Sequence, residues 1–251
     1  MTILVSSTTN LDDKNFWATN WFCFYDAVRL YGRPFRQDVA AELATRKVLA
    51  YISPEKGDDA LALDWEADWW CNPPFDLKVA FIERAAKQAR AGRGGMMLLP
   101  YEPLTDWWRD GVAPQATFIY EPDGRYNFLE RDGVTQKDGV NFGVALVLFS
   151  PHRGPGEAVR IPYQRTQRGL GKRRIRPPAT VQEFPAFCQA IAERDLREAL
   201  KREFEAQEQE LERTLALADL LPGDKEREQH QANVGRLIRQ LKLRKLEAVS
   251  A

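Results

Sequence analysis

The sequence predicts an α/β fold, an open sheet with helices on both faces, followed by a C-terminal helical hairpin or coiled-coil arm. Three observations lead there. A strand-like run at 69–71, an amphipathic stretch at 77–91, a glycine turn at 92–95 and an apolar run at 96–99 follow the order of a βαβ unit. The run 96–99 is apolar without alternation, as in a strand covered on both faces. From residue 181 onward charges dominate and apolar residues recur sparsely around the turn Leu221-Pro222-Gly223-Asp224, the pattern of two long helices.

The elements follow in order. Residues 1–14 are polar and expected to fray. Thr19 or Asn20 caps a helix with Phe22, Tyr25, Ala27, Val28 and Tyr31 on its apolar face. Gly32 ends it and Pro34 blocks continuation. Residues 35–41 read as a short strand carrying Asp38, 43–51 as helix, 53–59 as loop, and 61–65 as a short strand or turn. The helix at 77–91 should bury Val79, Phe81, Ile82, Ala85, Ala86 and Ala89, and turn Lys78, Glu83, Arg84, Lys87 and Arg90 to water. Residues 105–109 read as a short helix. Residues 117–120 and 126–129 flank Pro122-Asp123-Gly124, a hairpin signal. The run 140–149 reads as the last strand. These elements place a catalytic domain at 1–152, a basic loop or linker at 153–180 and the helical arm at 181–251.

Composition excludes several classes. The 251 residues are 44% hydrophobic and 29% charged with zero formal net charge, so a polyanion partner must be argued from local charge. Cys23, Cys71 and Cys188 are isolated, with no metal spacing or disulfide framework, which fits a reducing cytoplasm. No signal-peptide pattern and no apolar run near about 18 residues is found, so no membrane span is expected. The two histidines, His152 and His230, are too far apart in sequence to suggest a triad or a zinc site, and no metal is expected.

The stretch with chemistry is Asn72-Pro73-Pro74-Phe75. Two prolines give no N–H to a ladder, so the strand ends there and the chain stays stiff. In open α/β sheets, ligands sit at the carboxyl ends of strands. The exocyclic amine of a planar base is a poor nucleophile because its lone pair is delocalised. The Asn72 amide oxygen and the Pro73 carbonyl can accept its two N–H hydrogens, and the Phe75 ring can stack on the base. Cys71 beside the motif reads as strand packing rather than as an attacking thiol.

Taken with Trp17 to Thr19, Asp38 to Ala41, Asp64-Trp65, Leu98 to Pro100, Gly124-Arg125-Tyr126 and Asn141 to Phe149, the motif resembles the phage-type DNA adenine-N6 methyltransferases. The resemblance covers about residues 15–150. It implies a Rossmann-like S-adenosylmethionine-dependent methyltransferase sheet acting on double-stranded DNA in the cytoplasm (the host's, for a phage enzyme). It implies that Asn72, Pro73, Pro74 and Phe75 hold the target adenine and that Trp17, Thr19, Asp38 and Asp64 contact S-adenosylmethionine. Asn20 stands where the family has proline, Phe75 replaces the commoner Tyr, and no Gly-x-Gly loop precedes Asp38. A duplex adenine must leave the stack, and Trp69-Trp70 and Trp107-Trp108 are candidate linings for its pocket.

Residues 153–176 carry Arg153, Arg160, Arg165, Arg168, Lys172, Arg173, Arg174 and Arg176 against one acid, Glu157. Arg165, Arg168, Lys172, Arg173, Arg174 and Arg176, with Arg125 at the hairpin tip, are the expected DNA contacts. The arm's mixed charges suit a homodimer or partner contact better than a nucleic acid. Two rival readings share the motif. One is a methyltransferase acting on RNA or protein glutamine. The other is a degenerate methyltransferase fold serving as a nucleic-acid-binding or assembly module.

Overall fold

In the computed structural model the described residues are 14–153, 156–169, 175–217 and 223–250. The chain divides into two compact units, Met1–Phe184 and Pro185–Ala251. The first contains α1 (Trp21–Tyr31), β1 (Gln37–Asp38), β2 (Trp69–Cys71), α2 (Lys78–Arg90), β3 (Gly95–Pro100), a π-helical turn (Trp107–Val112), β4 (Phe118–Pro122), β5 (Val144–Phe149), β6 (Val159–Tyr163) and the one-turn α3 (Thr166–Gly169). Among the described residues six strands form one mixed sheet, in the order β1-β2-β3-β5-β4-β6. β1, β2 and β3 run parallel, β5 runs antiparallel between β3 and β4, and β6 lies parallel to β4 at the edge.

The sheet carries a core on each face because successive strand residues point to opposite sides. On one side Trp70, Met96, Leu98 and Leu146 cluster with Trp21, Phe24 and Ala27 of α1. On the other, Trp69, Cys71, Met97, Leu99 and Val147 cluster with Phe81, Ile82, Ala85, Ala86 and Ala89 of α2. Each large side chain so buried contributes roughly 1.5–3 kcal/mol. The Asn20 amide oxygen accepts from the Phe22 N–H at 2.8 Å and caps α1. Gly32, at φ 80°, closes it with an N–H bond to the Val28 carbonyl.

Several expectations need correction. Residues 43–51 are not helical. Asp38 N–H donates to Ala50 O and Ile52 N–H to Asp38 O, each at 2.9 Å, and the Asp38 carboxylate takes the Lys47 N–H at 2.8 Å. A helix would have kept that donor for itself. The hairpin does not form: β4 pairs with β5 and β6. Residues 126–129 leave the sheet, Tyr126 donating to Asp26 at 2.6 Å and Leu129 bridging Ala18 and Gln136. Nor is the run 140–149 the last strand. It is paired only from Val144, and β6 follows inside the stretch read as loop, its Val159, Ile161 and Tyr163 alternating with Arg160 and Pro162. Residues 35–41 give only the two-residue β1, the helix at 105–109 is the π-helical turn further on, and Val79 is exposed.

The second unit holds α4 (Phe184–Leu217) and α5 (Asp224–Ser250). Lys242 of α5 pairs with Glu208 of α4 at 2.9 Å. Leu221 and Pro222 of the expected turn, and residues 1–13, lie outside the described residues. Phe187, Ile191, Val234 and Leu241 are buried, whereas Leu196 and Leu237 are exposed.

β2 and β3 can approach as they do because Gly95 faces Trp69. A Cβ at Gly95 would lie 2.2 Å from the Trp69 ring and carbonyl. Gly95→Ala should therefore cost about 1–3 kcal/mol, the range of an overpacked core. Denaturant unfolding checks it, and an unchanged midpoint would mean the strands can separate there freely.

Candidate active site

β2 stops where its N–H donors stop. Beyond Cys71, Pro73 is buried, and Pro74 turns the chain into a short 3-10 helix, Phe75–Leu77. Asn72 is left at the strand end. Its Nδ2 donates to the Trp17 carbonyl at 2.8 Å. That assigns the amide orientation and leaves Oδ1 with no donor among the described residues. The Trp17 segment is itself held by paired bonds between Ala18 and Leu129, each 2.9 Å, and by Asn15, whose side chain bridges to Asp76 at 2.9 and 3.1 Å. Phe75 is half-buried. Its ring meets Trp17 edge-on at 5.8 Å and Phe142 at 5.4 Å.

Beside Asn72 lies a cavity of about 250 Å³ at the carboxyl ends of β1 and β2. Trp17, Thr19, Asp38, Asn72 and Pro74 line it, together with Glu42, Thr45, Lys47, Asp58, Asp59 and Leu61. Asp38 is 2% exposed and accepts from the Lys47 and Ala40 N–H groups. Burial pushes its pKa up to about 6 despite those bonds. Lys47 is 3% exposed, with its ammonium 3.9 Å from the Trp21 ring centre. Burial lowers its pKa to about 7, against the pull of Asp38. Asp58 accepts from Ser53 N–H and pairs with Lys56, while Asp59 accepts from Leu61 N–H.

The structure brings five of the eight catalytic and cofactor candidates to the cavity wall. Pro73 and Phe75 flank it. Asp64 is not brought there: it is largely exposed, bound to Arg84 at 3.0 Å, Arg93 at 3.1 Å and Gln88 at 3.2 Å. Of the tryptophan pairs, Trp70 touches the cavity, Trp69 and Trp108 are enclosed in the core, and Trp107 stands beside Lys78. Sequence reasoning missed Lys47, Asp58 and Asp59. The reading of 43–51 as helix hid Lys47, and no periodic signal marks the other two.

The basic candidates separate. Arg165 and Arg168 both bind Asp123, at 2.9 and 2.8 Å. Desolvation raises the Asp123 pKa, but these arginines outweigh it and hold it down to about 2. Arg165 also donates to the Arg125 carbonyl, and Arg125 itself is exposed. Arg176 is exposed beside a small cleft that includes Asn20 and Trp21. Lys172, Arg173 and Arg174 lie outside the described residues. Among the described residues no group of three His, Cys, Asp or Glu could hold a metal ion, and no helix is long and apolar enough to cross a membrane.

A family model for DNA N-6-adenine-methyltransferase (Dam) matches residues 6–172. The chain belongs to that family. It is also 30% identical over 151 residues to the DNA N-6-adenine-methyltransferase of Haemophilus phage HP1 (strain HP1c1), covering 59% of this chain and 86% of the relative. No solved structure matches. The Dam match spans the whole described sheet and the cavity, and it ends before the second unit.

The buried amine of Lys47 yields a pH test. Its folded pKa lies below the ordinary lysine value, so its cost to stability is full below about pH 7 and fades as pH rises. Asp38 and Cys23, the titratable groups that face it, are both pushed up by burial, Asp38 to about 6 and Cys23 well above the ordinary thiol value. Lys47→Met should be more stable than the wild type at pH 7, and the gap should narrow by roughly 1–2 kcal/mol by pH 9. Paired denaturant titrations check this; a constant gap would mean the amine stays charged throughout.

Proposed function

We propose that the chain methylates the N6 amino group of adenine in double-stranded DNA, with S-adenosylmethionine in the cavity and Asn72, Pro73, Pro74 and Phe75 presenting an extruded base. The reaction class follows from membership of the Dam family. The residue assignment rests mainly on one observation: the Asn72 amide is fixed by the Trp17 carbonyl, leaving its acceptor oxygen beside a cavity that reaches Asp38.

The residues present fit the donor. Asp38 and Thr19 are buried polar groups on the wall, and the buried Trp17 indole N–H has no partner among the described residues. Three parallel strands, with a cavity at the carboxyl ends of two of them, also support the Rossmann-like reading. S-adenosylmethionine supplies a methyl group on a positively charged sulfur. Everything else is the work of the chain. Asn72 Oδ1 and the Pro73 carbonyl accept the two amino hydrogens of the base, so its nitrogen lone pair points to the methyl. Phe75 stacks on the base, its own tilt set by Trp17 and Phe142. Asp38 takes hydroxyl or ammonium groups of the donor.

The duplex is held by the exposed cations Arg125 and Arg176 together with the sequence run Lys172, Arg173 and Arg174, while Arg165 and Arg168 fold the stretch onto Asp123. The helical arm at 181–251 acts as a partner or homodimer contact. The enzyme works in the cytoplasm, where its DNA is. No observation favours an RNA or glutamine acceptor.

Labelled S-adenosylmethionine incubated with unmethylated duplex, followed by digestion to nucleosides, should place the label on N6 of adenine. Asn72→Ala should lower turnover by roughly 10²–10³-fold, the scale of one lost preorganised polar group, with binding of S-adenosylhomocysteine kept. Loss of both would make Asn72 structural. Replacing Arg173 and Arg174 with alanine should weaken DNA binding and flatten its log–log salt slope by about 0.9 per lost phosphate contact; an unchanged slope would remove them from the interface.

A further inference from the structure

Among the described residues that line the cavity Lys47 is the one cation; the other charged residues there are Asp38, Glu42, Asp58 and Asp59. Of the four carboxylates only Asp38 is buried, and it takes backbone N–H groups but no cation among the described residues. Glu42 is bound to Arg131, Asp58 to Lys56, and Asp59 to the Leu61 N–H. The Lys47 amine has no hydrogen bond and no ion pair among the described residues, although the residue is 3% exposed. The Trp21 ring beneath it satisfies a cation only partly.

The backbone that carries the amine is also fixed in place. The Lys47 N–H is bonded to Asp38, and the chain on either side is tied down by Thr45 accepting from Glu42 N–H at 3.0 Å and by Ile52 donating to Asp38 O at 2.9 Å. A buried ammonium without a partner is costly. An anion arriving with a ligand removes that cost and returns the amine to its charged form.

We infer that Lys47 anchors the α-carboxylate of the methyl donor, at the opposite end of the donor from its adenine. This deepens the proposed function and rests on it. The donor carries one carboxylate, one ammonium and two ribose hydroxyls. One buried cation beside one buried carboxylate without an ion pair among the described residues, Asp38, matches that set. Lys47 is thus a positioning residue. By holding the amino-acid end it fixes where the methyl group stands relative to Asn72, and it touches neither the methyl nor the base.

The test is equilibrium binding by calorimetry on the full chain, with S-adenosylhomocysteine and its decarboxylated analogue, which keeps the amine, thioether, ribose and adenine. The wild type should prefer the carboxylated ligand by about tenfold or more, the size of one charge-assisted hydrogen bond. Lys47→Met should erase that preference and leave the affinity for the decarboxylated analogue nearly unchanged. A structural role for Lys47 would weaken both ligands alike and would overturn the inference. So would a wild type that binds the two ligands equally, a result that needs no variant to fold. Failure of the wild type to bind either ligand would overturn the donor reading itself.

Discussion

The first unit depends on where β2 stops. Pro73 and Pro74 cannot donate to a ladder, so the sheet cannot run past Cys71, and Asn72 stands alone at its edge. An amide in that position needs a partner for its N–H group. It finds the Trp17 carbonyl at 2.8 Å. That bond connects residues 55 positions apart, and much follows from it. The segment before α1 is drawn across the strand ends, its backbone pairing with Leu129 brings residues 126–129 out of the sheet, and the Trp17 ring becomes the wall against which Phe75 leans. Replacing both prolines would free the strand to lengthen and would unseat all three.

The cavity beside it is a problem in charge placement. A site for a ligand with both charges must keep opposite charges buried and apart, or they satisfy each other and leave nothing for the ligand. Asp38 and Lys47 meet this condition. They are linked through the Lys47 backbone N–H, not through the amine, so the side chains share an environment without an ion pair. The directions of their shifts agree: burial pushes the carboxyl up and the amine down. Each is held in a less charged state than it would have in water, and this is the state that a complementary ligand reverses.

The sequence carried the parts of this arrangement that are local. β2, the proline stop, α2, the glycine turn and β3 follow from periodicity and from residues with special backbone demands, and Asn20 and Gly32 bound α1 as their chemistry requires. What was not legible depends on partners distant in sequence. Residues 43–51 have acceptable helix propensity, but a buried carboxylate nine residues back takes one of their N–H groups. The turn after β4 looks like a hairpin tip until Asp26 claims Tyr126, 100 residues away. β6 is hidden because its arginines outweigh its alternation. Asp64 precedes the motif strand just as a cofactor ligand would, yet two arginines of the α2 region take it. Within the site, Asn72 and Asp38 were readable because they end strands. Lys47 was not, because nothing in a sequence distinguishes a buried lysine from a solvated one.

The same competition decides what the basic stretch can do for DNA. Counted by sequence, residues 153–176 offer eight cations. In the structure some of that charge is already committed. Asp123 takes both Arg165 and Arg168, and Asp26, fully buried, takes the Thr166 N–H and hydroxyl as well as Arg29 and Tyr126. These bonds hold the start of α3 against α1. A phosphate that recruited Arg165 would have to displace a carboxylate already bonded to it, so its net gain is small. Arg153 donates to the Ala116 and Gly156 carbonyls and Arg160 faces Glu121 at 4.0 Å, whereas the side chains of Arg125 and Arg176, on either side of the fixed segment, have no such bond among the described residues. The first half of the stretch therefore completes the sheet edge and folds back on it, and Arg176 beyond it stays exposed.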